Sequence, residues 1–226
     1  MTFINLEEVD VDGAIRESAE EAGATRAGFI RRAAIGGGAV LASGTILGAL
    51  APSALAAGAP PTSFGKGDIG ILNYALTLEY LERAFYNEAT SGGKIKNAQL
   101  KKFLEVTTRD ERAHVAFLQK ALGKHAVKQP RFDFKGIPKD EAKFAATAQV
   151  LENTGVHAYL GQVGNIKGIA YVEAAASIVT IEARHAGAIG LINKSGGGIA
   201  PSGSFDTPYT AKKVLAAVAA TGFIKK

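Results

Sequence analysis

The chain has 226 residues, 47% of them hydrophobic, a formal charge of +5 and no cysteine. That length and apolar content suit a folded domain with a sizeable core and exclude disorder throughout. The missing cysteine removes disulfides, thiolate nucleophiles, iron–sulfur clusters and cysteine zinc sites, leaving histidine and carboxylates as the strong metal ligands.

Residues 1–24 are polar and acidic, Arg26–Arg32 is basic, and Ala33–Ala56 carries no charge. The apolar run closes in Ser53-Ala54-Leu55-Ala56-Ala57, a small-x-small pattern of the kind signal peptidase cleaves. Together these features predict an export signal over residues 1–56. A retained membrane anchor is the competing reading, since about 20 apolar residues span a bilayer. Gly36, Gly37, Gly38, Gly44, Gly48 and Pro52 weaken it. The long leading segment and the Arg31-Arg32 pair resemble a twin-arginine signal. Thr25-Arg26-Ala27-Gly28-Phe29-Ile30 departs from that motif, with Ala27 where a second Arg should stand. The expected location is the periplasm, cell envelope or exterior, with the export translocon as a partner.

Residues 57–67 read as a Pro-containing linker and 68–226 as the folded domain. Residues 57–226 hold 22 basic and 14 acidic side chains, a formal +8. The basic residues are scattered without interleaved aromatics, which reads as a solvated surface, so nucleic acid is not an expected partner.

Helical spacing then dominates. Leu72, Ala75, Leu76, Leu81 and Tyr86 predict a helix over Asp68–Thr90, stopped by Ser91-Gly92-Gly93. A second is predicted over Ala98–Leu122, ending at Gly123, a third over Lys139–Val163 and a fourth over Ala170–Ile192. Thr210 reads as the N-cap of a short helix over Ala211–Ala220. Apart from a short extended piece at Arg131–Phe134, no strand signal competes. The fold class is all-α, a four-helix bundle with a short C-terminal helix.

The two halves echo each other. Leu78-Glu79 on the first helix, with Tyr86 seven residues after the Glu, matches Leu151-Glu152 on the third, with Tyr159 seven after. Glu111-Arg112-Ala113-His114 on the second matches Glu182-Ala183-Arg184-His185 on the fourth. Positions i and i+3 share a helix face, so each Glu-x-x-His aims two ligands at one point. One Glu from each of two helices plus Glu-x-x-His from each of the others is the ligand pattern of a two-metal carboxylate bundle. Such oxygen and imidazole donors suit iron and manganese, with zinc also possible. On this reading Glu79 and Glu152 bridge, while Glu111/His114 and Glu182/His185 hold one ion each. The alternative is a salt-bridged core, since unpartnered buried carboxylates cost several kcal/mol each.

Glu82 shares a face with Glu79 and could replace or assist it; its counterpart is Gly155, so the echo favours Glu79. His125 and His157 read as surface or packing residues, Asp133 and Asp206 as turn residues. Tyr86 and Tyr159 are candidates for hydrogen bonds to the carboxylates or for core packing. Arg109, Arg112 and Arg184 either pair with nearby carboxylates or face water.

These residues resemble the exported bacterial ferritin-like domain proteins, which are related to plant desiccation-associated proteins. The matching stretches include Ile71-Leu72-Asn73-Tyr74-Ala75-Leu76-Thr77-Leu78-Glu79-Tyr80-Leu81-Glu82, Glu111-Arg112-Ala113-His114 and Leu151-Glu152-Asn153-Thr154-Gly155-Val156. Ile181-Glu182-Ala183-Arg184-His185 and Phe205-Asp206-Thr207-Pro208 continue it, over about residues 66–224. The resemblance implies a ferritin-like fold and a metal site of Glu79, Glu111, His114, Glu152, Glu182 and His185. Two ions are expected, iron first and manganese second, reacting with dioxygen or peroxide in metal oxidation or oxidative-stress defence. A non-enzymatic role in envelope stress, desiccation protection or metal storage is the alternative. A DNA-protecting bundle is a third reading, which export would exclude. Homo-oligomers are compatible with all three.

Overall fold

Five α-helices carry the described residues, and three of them begin at a side-chain cap. The computed structural model describes residues 58–195, 199–200 and 203–225, so the expected export signal lies outside the described residues. Helices α1 (Gly67–Gly92), α2 (Ala98–Leu122), α3 (Glu141–Val163) and α4 (Ile169–Ile192) form the bundle, and α5 (Ala211–Thr221) follows. The linker contains one 3-10 turn, Thr62–Phe64. Asn97 caps α2 by accepting from the Gln99 and Leu100 amides at 2.9 and 3.1 Å. Thr210 caps α5 through the Lys213 amide, as its sequence position predicts. α3 starts two residues later than expected: Asp140 caps it through the Lys143 amide, and Ile137–Lys139 is a separate 3-10 turn. No described helix is long and apolar enough to cross a membrane.

α1 packs mainly on α2 and α3 mainly on α4, and contacts between α1 and α3 and between α2 and α4 join the two hairpins. The first helix is more deeply placed than an amphipathic stripe requires. Every residue from Gly70 to Glu82 is buried. The reason is the α2–α3 crossover, which covers the face that would otherwise meet water. Asn73 ties it down, donating to the carbonyls of Phe64 and His125, both at 2.9 Å, and accepting from the Val127 amide at 2.9 Å. Farther along, Phe85 stacks on Phe144 and meets Phe134 edge-on.

The expected extended piece is real but shorter, and its partner is a segment with no strand signal. β1 (Arg131–Phe132) pairs antiparallel with β2 (Ile224–Lys225). Phe134 contacts Phe223 at 5.2 Å between ring centroids, and Asp133 pairs with Lys225 at 2.7 Å while accepting from the Lys135 amide in its turn. His157 is a packing residue, stacked on Tyr209 at 4.2 Å; His125 and Asp206 are exposed.

The approach of the Tyr209 segment to α3 depends on one glycine. A Cβ on Gly161 would lie 1.8 Å from the Tyr209 carbonyl oxygen, while the Tyr209 amide donates to the His157 carbonyl at 3.0 Å. Backbone on both sides leaves no flexible group to yield. Gly161→Ala is therefore expected to lower stability by about 1–3 kcal/mol and to loosen the segment leading into α5. Denaturant melts and protease nicking near Thr210 check this; unchanged values in both would refute the packing argument.

Candidate metal centre

Four glutamates stand near the midpoints of the four bundle helices, each fully buried: Glu79 on α1, Glu111 on α2, Glu152 on α3 and Glu182 on α4. Their spacing on the helices turns all four inward. His114 and His185, one helical turn beyond Glu111 and Glu182, are buried beside them. The six residues named by the sequence pattern therefore meet in one place.

They fall into two overlapping groups, each with ligand atoms within 4.8 Å of one another: Glu79, Glu111, His114 and Glu182, and Glu111, Glu152, Glu182 and His185. The shared pair is Glu111 and Glu182. The sequence reading assigns the bridging role to Glu79 and Glu152; by distance, each of these belongs to one group, whereas the two Glu-x-x-His carboxylates stand within reach of both imidazoles.

His114 Nδ1 lies 3.2 Å from Glu79 Oε2, 3.0 Å from Glu182 Oε1 and 3.5 Å from Glu111 Oε2. His185 Nδ1 lies 3.3 Å from Glu152 Oε2 and 3.5 Å from Glu111 Oε1. One ring nitrogen carries at most one proton, so it cannot satisfy two or three oxygens at once. Both oxygens of Glu111 and of Glu182, Glu152 Oε2 and His185 Nδ1 are accordingly buried without a well-formed hydrogen bond. A cluster of this kind is costly unless cations occupy it. Four ionised carboxylates carry −4, which two divalent ions balance. The donor set thus fits a pair of metal ions.

The outward side of the cluster is well supported. Tyr159 on α3 donates to Glu79 Oε1 on α1 at 2.5 Å, and Tyr86 on α1 donates to Glu152 Oε1 on α3. Each half of the chain thus holds the carboxylate of the other. Burial, then the adjacent carboxylates, pushes both phenols well above the ordinary range, which keeps them protonated as donors.

One feature escaped the sequence pattern. Asp110 Oδ2 lies 3.1 Å from His185 Nε2, on the ring edge opposite the cluster, and Asp110 also accepts from Arg109 Nε at 2.7 Å. The signal was present: the first motif reads Asp-Glu-x-x-His, the second Ile-Glu-x-x-His. Arg112 and Arg184, by contrast, bond Asn87 and the Thr180 carbonyl, away from the cluster. Glu82, weighed from the sequence as a replacement for Glu79 or an assistant to it, is a fifth buried carboxylate. A Cβ at Gly155 would lie 3.4 Å from Glu82 Oε1 and 3.3 Å from Glu182 Oε2. The glycine that breaks the echo therefore leaves room for Glu82 beside the cluster without making it a replacement for Glu79, which keeps the His114 and Tyr159 contacts.

Electrostatics separate the carboxylates. Burial, reinforced by the charge of Glu79, pushes Glu111 up to about 8 from an ordinary 4.5. Burial and neighbouring carboxylates push Glu182 and Glu82 well above the carboxylate range. Burial also acts on Glu79, but His114 and Tyr159 outweigh it and hold this group low. For His185 burial favours the neutral ring, yet Glu111 and Glu152 outweigh it and push the group up to about 11 from 6.5.

In the metal-free protein Glu111 and His185 thus bind protons more tightly folded than unfolded. The stability this contributes is complete below 4.5 and 6.5 and is lost as pH rises through about 8 and 11. Chelator-treated protein is expected to melt at progressively lower temperature from about pH 5 to about pH 9. Thermal circular dichroism across that range is the check; a melting temperature that climbs would contradict it.

A comparison with curated proteins finds no match. Residues 67–194 match the sequence model of the ferritin-like domain. That span opens on the first residue of α1 and closes just after α4, so it contains both hairpins and all six residues of the cluster. With more than half its length matched and the helices and buried cluster arranged as described, the chain belongs to the ferritin-like domain family.

Proposed function

We propose that the cluster is a dinuclear metal centre, with iron first and manganese second, and that the protein reacts with dioxygen or peroxide in metal oxidation or oxidative-stress defence. The observation that supports this reading best is the convergence of four glutamates and two histidines, among which both oxygens of Glu111 and Glu182, Glu152 Oε2 and His185 Nδ1 lack hydrogen-bond partners. Glu79, Glu111, His114 and Glu182 would hold one ion, and Glu111, Glu152, Glu182 and His185 the other. Two such ions would supply the electrons and the open positions that reduction of an oxygen species requires.

The chain's own residues would set the conditions around them. Tyr159 and Tyr86 each occupy one oxygen of Glu79 and Glu152, fixing the carboxylates and leaving their other oxygens inward. Asp110 accepts the Nε2–H of His185, which directs the unprotonated Nδ1 at the cluster and raises its basicity. Glu82 holds a proton in the dry interior beside Glu182, where negative charge disfavours its loss.

Metal analysis of residues 57–226 after anaerobic loading is the direct test. About two iron or manganese ions per chain are expected, lost when His114 and His185 are both changed to Ala. Asp110→Asn should keep the stoichiometry but weaken binding at one position by about 10–100-fold. No uptake by the wild-type protein would discard the dinuclear reading and favour the non-enzymatic envelope role instead.

The composition of residues 1–56 supports export as part of the same proposal, placing the protein in the periplasm, envelope or exterior. Fractionation with N-terminal sequencing should recover a chain beginning near Ala57; an intact chain in the cytoplasm would count against export and reopen the DNA-protecting alternative.

A further inference from the structure

Between α1, α3 and α4, at one end of the bundle, the side chains leave a cavity of ≈ 20 Å³. Ile71, Leu78, Ala175 and Ile178 form its interior walls, and the partly buried Ile166 and Ala174 stand toward solvent. The volume suits little more than one water-sized molecule. Three wider surface depressions, of ≈ 420, ≈ 510 and ≈ 710 Å³, have no glutamate of the cluster in their walls. The small cavity instead has Tyr159 as a wall, the residue whose hydroxyl bonds Glu79.

Its polar groups are nearly all engaged elsewhere. The Tyr159 hydroxyl is committed to Glu79, and Gln162 donates to the Gly58 carbonyl at 3.3 Å and accepts from Asn165 at 3.1 Å. Among the described residues, only the buried Tyr74 hydroxyl in its lining finds no partner. A trapped water needs two to four polar partners, so a cavity offering one stays dry and prefers an uncharged, non-polar occupant. Peroxide, which carries two hydroxyls, would lose its hydrogen bonds with water on entering.

We propose that this cavity binds a small non-polar gas molecule of the dioxygen class and delivers it along Tyr159 to the Glu79 side of the cluster. The inference rests on the oxygen-reactive reading above and sharpens it, because it selects dioxygen over peroxide as the substrate that enters here. Neither the cavity nor its lining includes a proposed metal ligand, so the binding step can be examined in metal-free protein.

The test is methyl NMR of metal-free protein under nitrogen and then under dioxygen. Dioxygen-enhanced relaxation is expected at Ile71, Leu78 and Ile178, with little effect at Leu100 and Val214, which are equally buried but line no part of the cavity. Ala175→Leu, or the gentler Ala174→Leu at the entrance, should abolish the enhancement. Effects that are absent, or equal at Leu100, overturn the binding site whatever the metal content. In metal-loaded protein the same substitutions should slow reaction with dioxygen several-fold while leaving metal stoichiometry and the peroxide reaction unchanged. Unaltered dioxygen rates would overturn the delivery role. Failure to take up metal would instead defeat the dinuclear reading, with the relaxation result in metal-free protein still deciding the cavity.

Discussion

Placing carboxylates in a dry helical core is the constraint around which the rest of this molecule is arranged. Four glutamates meet where water is excluded, and their mutual repulsion grows as the local dielectric falls. A single stray charge in such a place would change its protonation instead of persisting. Here the arrangement is collective: two imidazoles, two phenols and four acidic side chains share one centre. The surrounding hydrophobic packing supplies the free energy that holds these groups at close quarters. Aromatic contacts among Phe85, Tyr86, Phe103, Phe134 and Phe144 build a rigid wall on one side of it.

Much of this was legible in the residues themselves, because helix periodicity and the three-residue step between Glu and His are local properties. The α2 span agreed at both ends, and α1, α4 and α5 differed by one or two residues where glycine or a fraying turn sets the limit. The six clustered side chains were also legible, since two helical hairpins of similar sequence can only superimpose their motifs by packing face to face.

What was illegible depended on distant partners. That α1 is buried all round follows from the crossover lying on it, and no feature of α1 alone announces a covering loop. β1 and β2 are two residues each, too short for an alternation, and are separated by most of the chain's second half. That Glu111 and Glu182 belong to both groups was not visible, because spacing tells which residues share a face but not which carboxylates come within reach of both imidazoles. Asp110 was hidden by its position beside Glu111, where an acidic residue next to Arg109 looks like ordinary surface.

The crossed tyrosines carry a consequence of their own. Because Tyr86 serves Glu152 and Tyr159 serves Glu79, neither hairpin contains a complete set of contacts, and one alone would require a second copy related by twofold symmetry. A continuous chain has no such obligation, and beside the cluster this one departs from symmetry at Asp110 against Ile181 and at Glu82 against Gly155. Among the described residues, Asp110 braces the His185 imidazole from behind, and Ile181 stands at the matching place before Glu182. The two sides of the cluster are thereby inequivalent, and the covalent joining of the halves in one polypeptide is what permits that difference.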